Sequence, residues 1–154
     1  MASSIVMKTP RYKRPESVLV VIYTAAGEVL LLERQQPRGF WQSVTGSLEA
    51  GEDPVSAARR EVYEETGLVA EKLVDTGETR RFPILPAWRE RYAPGVSENL
   101  EHWLLLPVPH RQAIEISRRE HHNYQWLARQ DALLTVSSAT NRAAIERYVP
   151  ESIQ

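Results

Sequence analysis

Residues Gly46–Leu68 read GSLEAGEDPVSAARREVYEETGL, a glycine-bounded loop that runs into a helix. Asp53-Pro54 starts that helix with a side-chain cap and a proline whose missing N–H costs nothing there, and Gly67 stops it as a left-handed cap. Val55, Ala58 and Val62 recur at i, i+3 and i+7, which lays one apolar flank against a sheet. Glu61, Glu64 and Glu65 share another face at 3.6 residues per turn. Like charges so spaced repel by about 0.2–0.5 kcal/mol per pair. Glu64 and Glu65 also sit in the last turn, where the helix dipole disfavours anions. A cation bound on that face relieves both penalties.

Working outward, the spacing is G-x5-E-x7-R-E-V-x-E-E-x-G-L, with Gly46, Glu52, Arg60, Glu61, Glu64, Glu65 and Gly67 at the fixed positions. This resembles the complete signature of the Nudix hydrolases, which cleave nucleoside diphosphates linked to another group.

The bulk properties agree with a soluble enzyme. A chain of 154 residues suits one domain, 1–154, with 1–7 expected as a disordered extension. A net charge of −1 gives no electrostatic case for nucleic acid or an anionic membrane. The absence of cysteine excludes disulfides and thiolate metal sites and suits the cytoplasm, so a metal would take oxygen or histidine ligands. No apolar run approaches the roughly 20 residues of a membrane span, and the N-terminus lacks the pattern of a signal peptide.

Along the chain, Val18–Tyr23 predicts a buried strand, and Val29–Leu32 its hairpin partner across Ala26-Gly27-Glu28. Gln42–Thr45 predicts one short strand leading to Gly46. Further strands are expected at Leu73–Thr76, Trp103–Leu106 and Tyr124–Leu127. The Pro/Gly-rich segment 82–96 predicts a substrate-binding loop, and 107–123 includes a charged loop. Ser138 predicts the cap of a last helix, from about Ala139 to Val149. Strands before, between and after two helices imply an α/β protein. The Nudix resemblance sharpens this to an α/β/α sandwich with a mixed sheet between helices.

Phosphoanhydride cleavage needs charge neutralisation and an in-line water. Mg²⁺ can serve both ends and takes oxygen ligands from a few carboxylates and from substrate; Mn²⁺ is an acceptable substitute. The resemblance implies Glu61 and Glu65 as main ligands, with the Gly46 carbonyl a further one. It leaves Glu64 as ligand or base, and makes Arg60 with Glu52 the pair that orients helix and loop. Glu120, in Glu120-His121-x-x-Tyr124-x-Trp126-Leu127, resembles the distal Nudix glutamate that binds metal or acts as base. His121 and His122 are expected to be loop or packing residues.

The outer segments Tyr12–Pro15, Phe40–Ser47, Arg91–Val96 and Asn141–Glu146 resemble the pterin-triphosphate branch of this family. The implied reaction converts 7,8-dihydroneopterin triphosphate to its monophosphate and pyrophosphate, a step of folate synthesis. By the same resemblance Lys13, Arg34 and Thr45 contact substrate, with Ser138 a further candidate, and an aromatic at Phe82 can stack on the ring. The expected partner is therefore a small nucleotide-like triphosphate, on a monomer or weak homo-oligomer. Pro83, 15 positions past the signature, matches an offset associated with ADP-ribose pyrophosphatases and keeps a broader nucleotide pyrophosphohydrolase as the alternative. A non-catalytic Nudix-like sensor is disfavoured, because every acidic position is intact.

Overall fold

The computed structural model describes residues 12–151, so the expected extension at 1–7 lies outside the described residues. A mixed seven-stranded sheet forms the centre. Its strands are β1 (Glu16–Thr24), β2 (Glu28–Arg34), β3 (Trp41–Gln42), β4 (Val44–Ser47), β5 (Val74–Pro83), β6 (Glu98–Val108) and β7 (His121–Ala128). Three helices accompany them: α1 (Pro54–Thr66), α2 (Arg129–Thr135) and α3 (Ala139–Tyr148). The order is β3-β2-β1-β6-β5, with β4 also on β1 and β7 also on β2. Among the described residues only β1 and β6 run parallel; the other pairs are antiparallel.

Alternation along β1 divides the core. Val18, Val20 and Ile22 face α1 and pack with Leu30, Leu32, Val44, Ala58, Val62 and Leu104. Leu19 and Val21 face the other way, onto Leu31, Trp103, Ala132, Ala144 and Ile145. One helix therefore covers one face and α2 with α3 covers the other, which is the expected sandwich with an additional helix. None of the helices described is long and apolar enough to cross a membrane.

Helix α1 has the expected ends: Asp53 accepts from the Ser56 N–H at 2.8 Å, and Gly67 is left-handed at φ 76°. Elsewhere the structure corrects the expected boundaries. The single strand at 42–45 is two, because the chain leaves β2 after Gln42 and joins β1 at Val44. The strand at 73–76 continues to Pro83 through a register shift between Asp75 and Thr79. Its charged, half-exposed edge alternation carries too little apolar signal to be seen in the sequence. Residues 82 and 83 finish β5, and Pro86–Arg91 form a 3-10 turn within the expected loop. Helix α2 lacks a side-chain cap and a long periodic stripe, and it went unpredicted.

Candidate active site

β4 delivers Gly46 to the flank of α1. A Cβ at Gly46 would lie under 3.0 Å from the Glu61 carboxyl carbon and both its oxygens, so the strand backbone and that carboxylate touch directly. Glu61 is buried, and burial pushes its carboxyl up to about 7, with Glu64 and Glu120 adding like charge and Arg60 opposing. Glu65, one turn on, is 2% exposed. Burial raises its carboxyl well above the usual range, reinforced by Glu61 and Glu120 and opposed by a hydrogen bond from the Thr45 backbone. Its Oε2 has no hydrogen-bond partner. A buried carboxylate oxygen without a donor is costly, and a bound cation or a proton would relieve it.

Arg60 holds the arrangement in place. Its Nε and Nη2 donate to the two oxygens of Glu52 at 2.9 and 2.8 Å, Nη1 donates to Glu61 at 2.8 Å, and Nη2 also reaches the Ser47 carbonyl at 3.1 Å. This fork explains why Glu52 is held down to about 2. Glu64 lies on the outer side of α1, with its side chain 55% exposed and 3.5 Å from Arg60.

Glu120 arrives from the loop before β7, whose backbone is fastened to the end of β2 where the Gln35 N–H donates to the Glu120 carbonyl at 2.9 Å. Its exposed side chain lies beside Glu65 and raises that carboxyl further. Glu65, Glu120 and His121 offer ligand atoms within 4.8 Å of one another. His121 is 1% exposed, accepts from the Gln42 amide at 3.3 Å and leaves Nδ1 without a partner. Expected as a loop or packing residue, it is the first residue of β7 and part of this cluster. Its position directly after Glu120 was the available signal.

Cations border the acidic group. Lys13 is held below the usual amine range by burial and by Arg91 and Arg34, while Glu61 and Glu120 pull the other way. The Arg34 guanidinium lies 5.5 Å from the Trp88 ring centre and 6.0 Å from that of Phe40. Thr45, Phe82 and Ser138 are placed differently. Thr45 pairs with Leu19, which puts its side chain on the α3 side of the sheet although its backbone bonds Glu65. Phe82 is two positions from Arg80, which stacks on Trp103 at 4.2 Å on that same side. Ser138 caps α3, accepting from the Asn141 N–H at 3.2 Å. The sequence-expected substrate residues thus form two groups, one beside the carboxylates and one across the sheet.

Residues 13–148 match the NUDIX domain family. The chain belongs to the Nudix hydrolases. The dihydroneopterin triphosphate diphosphatase of Escherichia coli K12 is 47% identical over 148 residues, spanning 93% of this chain and 97% of that protein. The Haemophilus influenzae protein of the same name is 40% identical, spanning 90% of each. The solved structure of the E. coli dihydroneopterin triphosphate pyrophosphohydrolase superposes with a TM-score of 0.84 at 45% identity, over 90% of this chain and 97% of that one. In this Nudix hydrolase α1 is the Nudix helix, and the cluster at its flank fits the divalent metal that such hydrolases use: it offers two carboxylates and an imidazole, and the buried Glu65 Oε2 lacks a partner.

Proposed function

We propose that this enzyme hydrolyses 7,8-dihydroneopterin triphosphate to dihydroneopterin monophosphate and pyrophosphate, as a single-domain, cytoplasmic step of folate synthesis. The observation that carries this reading is the 47% identity to the E. coli diphosphatase across 97% of that protein's length. The geometry supports it through a buried carboxylate group flanked by Lys13 and Arg34.

Glu61, Glu65 and Glu120 would hold Mg²⁺, or Mn²⁺ in its place, with the Gly46 carbonyl as a further oxygen. Once bound, the metal supplies charge neutralisation on the phosphates and acidifies water. The chain's own residues do the rest. Arg60 fixes the Glu61 carboxylate through its fork to Glu52. Lys13 and Arg34 take phosphate oxygens and hold the anhydride in line. Glu120, exposed and beside Glu65, takes the proton of the attacking water on a carboxylate oxygen, whereas Glu64 is turned toward Arg60. The substrate is a free small molecule, and the reading requires no nucleic acid, membrane or stable oligomer.

A substrate panel tests the assignment. With Mg²⁺, pyrophosphate release from dihydroneopterin triphosphate should exceed turnover of dATP and ADP-ribose by a wide margin. Equal or faster turnover of ADP-ribose would replace the pterin reading with that of a broader nucleotide pyrophosphohydrolase.

A further inference from the structure

We infer that Glu101 reads the pyrimidine edge of the substrate's pterin ring, and so sets specificity from the face of the sheet opposite the metal-binding carboxylates. The inference rests on the pterin reading above for the identity of the ring, but it makes a separate prediction about which edge is recognised.

The register across the sheet places a polar row within an otherwise apolar face. Ser47 pairs with Ser17, Ser17 with Glu101, and Glu101 with Arg80. In the neighbouring row Asn99 pairs with Phe82. Leu19 and Trp103, two positions along the same strands, belong to the core under α3, so Ser17, Asn99 and Glu101 face that way as well. Glu101 is 5% exposed and Asn99 4%. Catalysis by the metal cluster uses neither residue.

Glu101 is not explained as a structural ion pair. Trp103 Nε1 donates to its Oε1 at 3.0 Å and the Thr140 hydroxyl lies nearby, yet among the described residues it makes no salt bridge. Arg80, its cross-strand neighbour, instead pairs with Glu78 at 3.0 Å and stacks on Trp103. Burial raises the Glu101 carboxyl, against the pull of Trp103, Thr140 and the Arg80 charge. Asn99 spends its amide N–H on Ser17 Oγ at 2.7 Å and leaves a buried Oδ1 without a partner. A buried acceptor without a donor, Asn99 Oδ1, beside a buried carboxylate without an ion pair suits a ligand rich in donors.

A pterin has that edge. Its 2-amino group and N3–H stand side by side, and a carboxylate accepts both in a fork. The surroundings are appropriate to a flat ring. Phe82 stands across from Asn99, and Ser138 contacts Thr140, a neighbour of Glu101, at 3.1 Å. Thr45 shares the face from β4, a strand whose other side touches Glu61 at Gly46. A substrate passing the free edge of β4 therefore has its phosphates at α1 and its ring at Glu101. Both acceptors are nearly closed from solvent, so entry of the ring requires the side chains above them to move aside.

The test compares kcat/KM for dihydroneopterin triphosphate, GTP and ATP in the wild type and in Glu101→Gln. Guanine carries the same pair of adjacent donors, N1–H and 2-amino; adenine presents an acceptor instead. The expected result is a loss of about 10–100-fold for the pterin and for GTP, with ATP changed by less than about threefold. An equal loss on all three substrates assigns Glu101 a structural role and overturns the inference, as does no loss at all. Thr140→Val, which removes the hydroxyl beside Glu101, should give the same selective pattern at smaller size and decides the matter if Glu101→Gln does not fold. If the wild type ignores the pterin but prefers GTP to ATP through Glu101, the pterin reading fails while edge recognition stands.

Discussion

Gly46 and Glu61 are in contact so close that a single methyl group on Gly46 would occupy the space of the Glu61 carboxylate. Gly46 does not have a left-handed backbone, so alanine is conformationally acceptable there and the clash alone is at issue. Gly46→Ala should keep the fold, displace the carboxylate, and lower both divalent-metal affinity and kcat by about 10²-fold. Calorimetric Mn²⁺ titration alongside kinetics checks it. Wild-type metal affinity in the variant would remove Glu61 from the ligand set.

Arg60 satisfies Glu52, Glu61 and the Ser47 carbonyl with one planar group. Lysine keeps the charge but cannot reproduce the fork. Arg60→Lys should therefore lose about 1–3 kcal/mol of stability and reduce kcat by at least tenfold, with KM changed less. Denaturant melts and steady-state kinetics read the two effects. A variant as stable and as active as the wild type would reduce the fork to a surface ion pair.

Burial of the acidic cluster makes metal-free stability depend on pH in a defined direction. A carboxyl raised from 4.5 to about 7 binds its proton more tightly folded than unfolded, so the folded state is favoured below 4.5 and loses that advantage as pH rises through 7. At about 1.4 kcal/mol per pH unit, Glu61 alone contributes a fall on the order of 3 kcal/mol, and Glu65 acts in the same direction. Unfolding of metal-free protein between pH 4.5 and 8 should show this decline. Saturating Mg²⁺ should remove most of it by binding the ionised form. A metal-free profile that rises across this window would contradict the buried-carboxylate site.

These three predictions concern α1 and its loop, the part most legible in the sequence, because cap residues, spacing and apolar flank there all agree. The other half of the site was less legible for a physical reason. Glu101 lies in the polar stretch Glu98-Asn99-Leu100-Glu101-His102 ahead of an apolar run, and no local pattern says that it faces the same patch as Phe82, 19 positions earlier, and Thr140, 39 positions later; only strand register does. The sheet centre was visible in Val18–Tyr23, whereas β5 was masked by its exposed, charged edge and by Gly77 at φ 76°. His121 was hidden for a similar reason, since its burial depends on Gln42, far away in sequence.

Asn141 provides the last prediction, because it fastens α3 to the point where the chain changes neighbours. Its Oδ1 accepts from the Ser43 N–H at 2.8 Å and its Nδ2 donates to Ser43 Oγ at 2.9 Å, with both residues no more than 1% exposed. Ser43 separates β3 from β4, and the next strand carries Thr45 and Gly46. Asn141→Ala leaves a buried N–H and hydroxyl unpaired, a cost of about 1–3 kcal/mol for each group left unsatisfied. For about 2 kcal/mol, a chain of this size should melt about 4–8 °C lower. Ser43→Ala removes the hydroxyl but keeps the N–H bond to Oδ1, so its loss should be the smaller of the two. If Asn141→Ala melts within 1 °C of the wild type, the clamp contributes little. If Ser43→Ala is the more damaging, the side-chain bond rather than the backbone bond holds β4 in place.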